Sequence, residues 1–139
     1  MASTLADTGA ILALLDRDDG WHHACADAFK ALELPLLTTP AVLTELFHMV
    51  GDSVHEIGTA WRFVRSGALE VRPIDDADLR ALEALMMKYR DRPMDFADAT
   101  LVQLASRERL TSIFTVDHND FQTYRIDGRR RFRIVPDRR

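Results

Sequence analysis

Residues 93–102 read PMDFADATLV and predict the start of a helix that runs on to about residue 109. Asp95 is a typical capping residue, and the apolar residues after it recur at helical spacing. At about 100° per residue, Asp98 falls between Leu101 and Val102, on the face expected to point into the protein. Because an unpaired carboxylate is costly to bury, Asp98 is expected to have a partner or to bind a metal ion.

A simpler explanation assigns both aspartates to the start of the helix alone. Free backbone N–H groups and the helix dipole favour acidic side chains in the first turn. This capping explanation receives less weight because acids occupy comparable positions elsewhere in the chain, at Asp7, Glu45 and Asp117.

Short β-prone segments alternate with helical patterns along the chain. Strands are predicted at residues 3–6, 34–38, 69–74 and 111–115. Helices are predicted at residues 10–15, 21–32, 40–50, 54–65, 77–89 and 95–109, with a turn at 7–9 and a turn or short helix at 118–121. Residues 124–126 and 131–135 predict a terminal hairpin. Such alternation is typical of an α/β domain with a mainly parallel sheet.

Length and composition indicate one globular domain, which we place at residues 1–139. The lone cysteine, Cys25, cannot form an internal disulfide and gives no sign of an oxidising compartment. The longest apolar run near the N-terminus, residues 9–15, is too short to cross a bilayer. We therefore expect a cytoplasmic protein that does not enter a membrane.

The C-terminal end is basic, although the chain as a whole carries a net charge of −4. From residue 125 onward, seven arginines accompany two aspartates. An acidic body beside a basic end fits a protein that holds a metal ion in one place and phosphate in another. The alternative is a solvated tail with no binding role.

Four acids lie close to predicted strand ends or helix starts: Asp7, Glu45, Asp98 and Asp117. Sites on parallel sheets form outside the carboxyl ends of the strands, so these side chains, with Asp95 close by, are expected to converge. Four carboxylates at close range cannot all ionise without a cation, and oxygen ligands suit Mg²⁺ or Mn²⁺. Such ions favour hydrolysis of a phosphodiester, a reaction that needs no side-chain nucleophile.

Four short blocks, in their order and spacing, carry a resemblance to a known family. They read LADT at 5–8, VLTEL at 42–46, DFADATL at 95–101 and FTVDHNDF at 114–121. Together they resemble a PIN domain, and more narrowly the VapC-type toxins of bacterial and archaeal toxin–antitoxin pairs. The resemblance implies a three-layer α/β/α sandwich on a mainly parallel sheet, and an endoribonuclease that depends on Mg²⁺ or Mn²⁺.

The resemblance also assigns roles to residues. The quartet that holds the metal ion and supports catalysis in the family matches Asp7, Glu45, Asp98 and Asp117. Thr115 matches a small hydroxyl residue that orients a ligand or a water. Asp95 stands outside the quartet, as a cap, a support for a metal ligand or an extra ligand.

The partners that the resemblance implies are an RNA substrate, a second copy of the chain and an antitoxin protein that silences the toxin. RNA contacts are expected from arginines of the basic end, namely Arg125, Arg129, Arg130 and Arg131. The same basic end would also suit contact with the antitoxin, and the sequence does not choose between the two.

Two other classes of protein fit part of the pattern. A receiver-type phosphoacceptor domain also places acids and Mg²⁺ at strand ends, but it needs a lysine at a late strand end. Both lysines of this chain, Lys30 and Lys88, lie inside helical patterns. A non-catalytic module that binds RNA or a partner on the same fold is the second alternative, and the presence of all four acids argues against it.

Overall fold

Strands and helices alternate along almost the whole chain, of which the computed structural model describes residues 4–139. The strands are β1 (Thr4–Ala6), β2 (Leu36–Thr38), β3 (Leu69–Val71), β4 (Ser112–Phe114), β5 (Arg125–Ile126), β6 (Arg130–Arg131) and β7 (Arg133–Val135). The helices are α1 (Thr8–Leu15), α2 (His22–Ala31), α3 (Pro40–Val50), α4 (Val54–Val64), α5 (Leu79–Lys88), α6 (Phe96–Glu108) and α7 (His118–Thr123). A 3₁₀ turn (Asp76–Asp78) precedes α5.

The main sheet has five strands in the order β3-β2-β1-β4-β7, and every pairing in it is parallel. At its centre, Leu5 of β1 lies opposite Leu37 of β2 and Ile113 of β4. All residues of β1 and β2 are buried. Because successive side chains of a strand point to opposite faces, both faces of the sheet must be covered. The predicted three-layer α/β/α sandwich is therefore confirmed.

Helix α6 is the one predicted from residues 93–102, and it packs against α3 and α5. Its residues are buried without interruption from Ala97 to Val102, including Asp98. A helix enclosed on so many sides needs small residues, and the sequence supplies alanines and a threonine there. The prediction that Asp98 faces the interior is confirmed.

The N-terminal predictions hold with one correction. The first strand is present over the described residues Thr4–Ala6, whereas Ser3 lies outside the described residues. The predicted turn at residues 7–9 is wrong, because α1 already begins at Thr8 with Asp7 as its N-cap. An aspartate that caps its helix directly after a strand leaves no room for a separate turn.

The C-terminal segment departs more strongly from its prediction. The hairpin turn at Asp127 and Gly128 is present, with both residues at positive φ, and three residues (127–129) connect β5 to β6. Its second strand, however, is β6 rather than residues 131–135. The apolar residues beyond it form β7, which pairs in parallel with β4 and extends the main sheet. Because β4 lies some twenty residues upstream, no local pattern reveals its pairing with β7. The alternation of apolar and polar residues in 131–135 therefore predicts pairing with the nearer segment, residues 124–126.

No helix between residues 4 and 139 has both the length and the apolar character that crossing a membrane requires.

Candidate active site

The four predicted acids line one cleft of about 430 Å³ beside the carboxyl ends of the central strands. Asp7 directly follows β1, Asp117 follows β4 by three residues, Glu45 comes from α3 and Asp98 from α6. The cleft is also lined by side chains outside this quartet, among them His48, Asp95 and Asp120. The structure therefore brings the predicted residues together at the edge where parallel sheets form their sites.

Asp7 is held by hydrogen bonds to both of its carboxylate oxygens. The backbone N–H of Thr8, the first residue of α1, donates to Oδ1 at 2.8 Å, and the Thr115 hydroxyl donates to Oδ2 at 2.8 Å. The side chain is only 5% exposed. Asp7 is thus fixed in one orientation by two donors, one that follows β1 (Thr8) and one that follows the neighbouring strand β4 (Thr115).

Thr115 links two of the acids. Its hydroxyl donates to Asp7 and accepts a hydrogen bond from the backbone N–H of Asp117 at 3.0 Å. Asp117 in turn caps α7, since its Oδ1 accepts from the backbone N–H of Asp120 at 3.2 Å. This geometry agrees with the orienting role expected for Thr115.

Asp98 is 7% exposed and is fixed by a buried tyrosine. The Tyr124 hydroxyl donates to Oδ2 of Asp98 at 2.9 Å. Tyr124 itself is fully buried, and its ring packs edge-on against Tyr89 and Phe121. An aromatic cluster thus holds the hydrogen-bond donor that orients the carboxylate of α6.

A carboxylate outside the predicted quartet, Asp120, completes a compact group of oxygens. One oxygen each from Asp98, Asp117 and Asp120 lies within 4.8 Å of the others. Oxygens bound at about 2.0–2.6 Å to one ion lie up to about 4–5 Å apart, so this spacing fits a hard divalent cation. The donor set fits as well, because it consists of carboxylate oxygens alone.

The electrostatics of the cleft favour a bound cation. Burial raises the pKa of Asp98 to about 8, and the nearby charges of Asp7, Asp95 and Asp117 add to that rise. Burial likewise raises the pKa of Asp7 to about 6, although hydrogen bonds from Thr115 and Thr8 oppose the shift. The pKa of Asp120 is also raised, first by burial and then by Asp117. Neighbouring carboxylates raise each other's pKa, and a cation bound among them stabilises their ionised forms.

Asp95 and Glu45 lie outside the compact group formed by Asp98, Asp117 and Asp120. Asp95 is exposed and caps α6, its Oδ1 accepting from the backbone N–H of Asp98 at 2.8 Å. That bond agrees with the capping role allowed for it, and the side chain also reaches the cleft. Glu45 is half-buried and lies one helical turn before His48 on the same side of the cleft.

The predicted RNA contacts, by contrast, lie apart from the acids. None of the cleft-lining residues is Arg125, Arg129, Arg130 or Arg131. The Arg125 guanidinium donates to three backbone carbonyls at residues 122–124, and Arg130 pairs with Asp127 at 3.1 Å. Arg129 and Arg131 are exposed at the hairpin. A role for these arginines in RNA binding stays a prediction.

The receiver-type alternative finds no support in the position of the lysines. Lys30 lies in α2 and Lys88 ends α5, and neither lines the cleft. A phosphoryl group bound among the acids would therefore lack the lysine that such a domain uses.

Two features of the site were not predicted from the sequence. Asp120 had a usable signal, because it follows Asp117 by three residues and such pairs share one face of a helix. Tyr124 had none, since it is 26 residues away from the aspartate that it contacts.

Comparison with known proteins gives the fold and site a family context. The profile of the PIN domain family matches residues 4–127. The chain is 30% identical over 135 residues to Ribonuclease VapC26 of Mycobacterium tuberculosis, a match that covers 95% of this chain and 99% of the relative.

Solved structures give the same fold at lower sequence identity. VapC20 of M. tuberculosis, described as a sarcin-ricin loop cleaving toxin, superposes with a TM-score of 0.74 at 16% identity, over 84% of this chain and 92% of that one. The DNA-bound VapBC complex of Salmonella typhimurium gives a TM-score of 0.67 at 15% identity, over 96% and 98% of the two chains. VapBC2 of Rickettsia felis, bound to a promoter DNA fragment, gives 0.66 at 14% identity, over 94% and 97%.

Proposed function

The chain belongs to the PIN-domain family and is related to the VapC ribonucleases, and from this premise we propose that it is a metal-dependent endoribonuclease, the toxin of a toxin–antitoxin pair. One observation carries the proposal. Asp7, Glu45, Asp98 and Asp117, which stand far apart in the sequence, meet in a single cleft beside the strand ends. A relative named as a ribonuclease over nearly the same length supports it.

The proposed cofactor is Mg²⁺ or Mn²⁺, held by Asp98, Asp117 and Asp120 with Asp7 and Glu45 close by. A bound ion of this kind supplies Lewis-acid activation of water and neutralises charge that develops on phosphate oxygens. The protein's own contribution is orientation. Hydroxyl groups of Thr115 and Tyr124 hold the carboxylates in place before an ion arrives, which avoids reorganisation during the reaction.

The proposed reaction is direct hydrolysis of the RNA backbone. A water molecule loses a proton as its oxygen bonds to phosphorus, the P–O3′ bond breaks, and the leaving 3′ oxygen takes up a proton, so the protons balance. The products are a 5′-phosphate and a 3′-hydroxyl. This route does not use the 2′-hydroxyl of the RNA, so a single 2′-deoxy nucleotide at the cut site would still permit cleavage.

The partners proposed for the chain follow from the same assignment. They are an antitoxin protein, as in the VapBC complexes that share the fold, and a second copy of the chain in a homodimer, which the family resemblance implies. We propose one nuclease domain over residues 1–139, acting on RNA in the cytoplasm. Arg125 and the hairpin arginines remain proposed contacts to RNA or to the antitoxin.

A cleavage assay on total RNA tests the proposal. Purified protein is stripped with a chelator and then supplied with Mg²⁺, with Mn²⁺ or with neither. We expect discrete fragments with 5′-phosphate ends only when an ion is returned. Fragments that persist in chelator, or that end in 2′,3′-cyclic phosphate, would contradict it. Binding of RNA without cleavage under every condition would favour the non-catalytic module.

A further inference from the structure

The acidic cleft is strongly negative on the side where its proposed substrate would bind. Six carboxylates line it, and among the described residues no lysine or arginine does. A divalent ion offsets only part of this negative charge, and an RNA strand brings one negative charge with every phosphate. Productive binding therefore requires a cation at the rim of the cleft.

Arg92 occupies that position. It precedes Pro93, which lines the cleft, and its Nε lies 3.4 Å from Oδ1 of Asp120. Among the ion pairs of residues 4–139, this is the one that joins an arginine to an acid of the cleft. The side chain is 50% exposed, so solvent and ligands can reach it.

The guanidinium of Arg92 is held from one side and open on the other. Its Nη1 donates to the Thr123 hydroxyl at 2.6 Å, and that hydroxyl donates to the carbonyl of Asn119 at 3.0 Å. Thr123 and Asp120, the two residues that Arg92 contacts, both belong to α7, the helix that Asp117 caps. Within the described part of the chain, Nη2 donates no hydrogen bond. A planar guanidinium fixed in this way is suited to a phosphate group, which it binds through paired N–H donors.

We propose that Arg92 forms a phosphate subsite at the rim of the cleft, holding a backbone phosphate of the RNA beside the one that is cut. The inference rests on the proposed nuclease function and assigns the backbone contact to the loop before α6. The basic hairpin is less suited to this role, since among the described residues none of its arginines lines the cleft or pairs with one of its acids; Arg130 pairs with Asp127, which lies outside the cleft.

A purely structural role for Arg92 is the competing explanation, because the residue also ties the loop before α6 to α7. The two explanations differ in their response to salt. A phosphate contact adds to the dependence of RNA affinity on salt concentration, whereas an internal tie changes folding stability alone.

The chain offers a matched control two residues away. Arg90 is also exposed and lies in the same loop, but its Nη1 donates to the carbonyl of Met87 at the end of α5. Arg90→Gln and Arg92→Gln therefore change the net charge equally, and only Arg92→Gln removes the group beside Asp120.

The test measures equilibrium binding of a fluorescein-labelled, random-sequence single-stranded RNA by anisotropy, in chelator so that no cleavage intervenes, over salt from about 50 to 200 mM. We expect Arg92→Gln to weaken binding by about three- to tenfold and to lower the salt slope by about one unit or slightly less, with Arg90→Gln close to wild type. Equal affinities and slopes for the two variants would overturn the subsite.

Two further results keep the test decisive. If Arg92→Gln unfolds, Arg92→Lys takes its place. Lysine retains the charge that pairs with Asp120 but lacks the planar fork, so we expect weaker RNA binding with an unchanged salt slope. Wild-type affinity for Arg92→Lys would overturn the subsite.

The failure of the subsite can be told from the failure of the proposed function. If the wild-type protein neither binds nor cuts RNA, both fail. If the wild-type protein cuts RNA and Arg92→Gln cuts it equally well, only the subsite is refuted.

Discussion

Two hydroxyl groups fix the carboxylates of the cleft. The Thr115 hydroxyl lies between Asp7 and the backbone of Asp117, and the Tyr124 hydroxyl reaches Asp98. Each donor is buried, so its hydrogen bond does not compete with bulk water. The orientation of the acids is thus a property of the folded protein before any ion binds.

Tyr124→Phe isolates one of these bonds. The substitution removes the hydroxyl that orients Asp98 and leaves the ring packed against Tyr89 and Phe121. Loss of an outer partner of a metal ligand commonly costs about 10–100-fold in metal affinity, so we expect Mn²⁺ binding by calorimetry to weaken at least about tenfold.

The control for that experiment is Tyr89→Phe. The Tyr89 hydroxyl accepts from the backbone N–H of Arg125 and belongs to the same aromatic cluster, but it touches no acid of the cleft. Equal Mn²⁺ affinity in the two variants would show that the Tyr124 hydroxyl does not position a metal ligand.

Single residues were predictable from the sequence only where a local pattern marked them. The burial of Asp98 followed from helical periodicity, and the position of Asp7 from its place after a strand. Tyr124 and Arg92 contact acids 26 and 28 positions away along the chain. Such contacts depend on how α6 and α7 pack, which no local spacing encodes.

Helix α6 shows how one element serves both the fold and the site. Its N-cap, Asp95, accepts a hydrogen bond from the backbone N–H of Asp98, so the cap also fixes the start of the turn that carries the buried acid. The sequence leaves three roles open for Asp95: cap, support for a metal ligand, or extra ligand. Only the first two are compatible with replacement by a neutral capping residue.

Substitution of Asp95 separates these roles. Asp95→Ala removes the cap and is expected to lower the free energy of unfolding by about 1 kcal/mol, measured by urea denaturation. Asp95→Ser keeps a capping oxygen, so we expect it to recover most of that stability together with most of the cleavage activity. A stable Asp95→Ser protein that no longer cuts RNA would instead make Asp95 a metal ligand.

Helices whose ends carry local capping signals were predicted well. Strands whose place depends on pairing with a distant strand were not. The capped start of α3 at Thr39 and Pro40 followed from local signals. Strand β7 was assigned to the hairpin because its apolar alternation does not reveal its partner. Parallel pairing with β4 is a consequence of the whole sheet.

The whole molecule is destabilised by its own acidic cleft when no cation is present. The folded protein raises the pKa of Asp98 to about 8 and that of Asp7 to about 6, in both cases chiefly by burial. In the unfolded chain both groups return to their ordinary pKa near 3.8. Between these limits the folded state binds more protons than the unfolded state, so the free energy of unfolding falls as the pH rises.

We therefore expect the metal-free protein to lose stability between about pH 4 and pH 8. Each unit of pKa shift corresponds to about 1.4 kcal/mol, so the total loss is several kcal/mol. Urea denaturation at pH 5 and pH 8 in chelator measures it. Saturating Mn²⁺ should restore about 3 kcal/mol at pH 8 when present at about 100 times its dissociation constant.

Asp98→Asn serves as the internal reference for this prediction. The substitution removes the charge that burial penalises most, so in chelator at pH 8 the variant should be more stable than wild type and should respond less to pH. A wild-type protein that is equally stable at pH 5 and pH 8 without metal would contradict the account of the cleft's electrostatics.

The central claim is that Asp98 and its neighbouring acids hold the ion that RNA cleavage requires, and one assay tests it most directly. Wild type, Asp98→Asn and Asp76→Asn are compared on total RNA with Mg²⁺ and with chelator. Asp76 is an exposed acid of the 3₁₀ turn that does not line the cleft, so its substitution controls for the lost charge. We predict Mg²⁺-dependent fragments from wild type and Asp76→Asn, with the rate for Asp98→Asn reduced by about 100-fold or more. Wild-type cleavage by a folded, clean preparation of Asp98→Asn would contradict the claim.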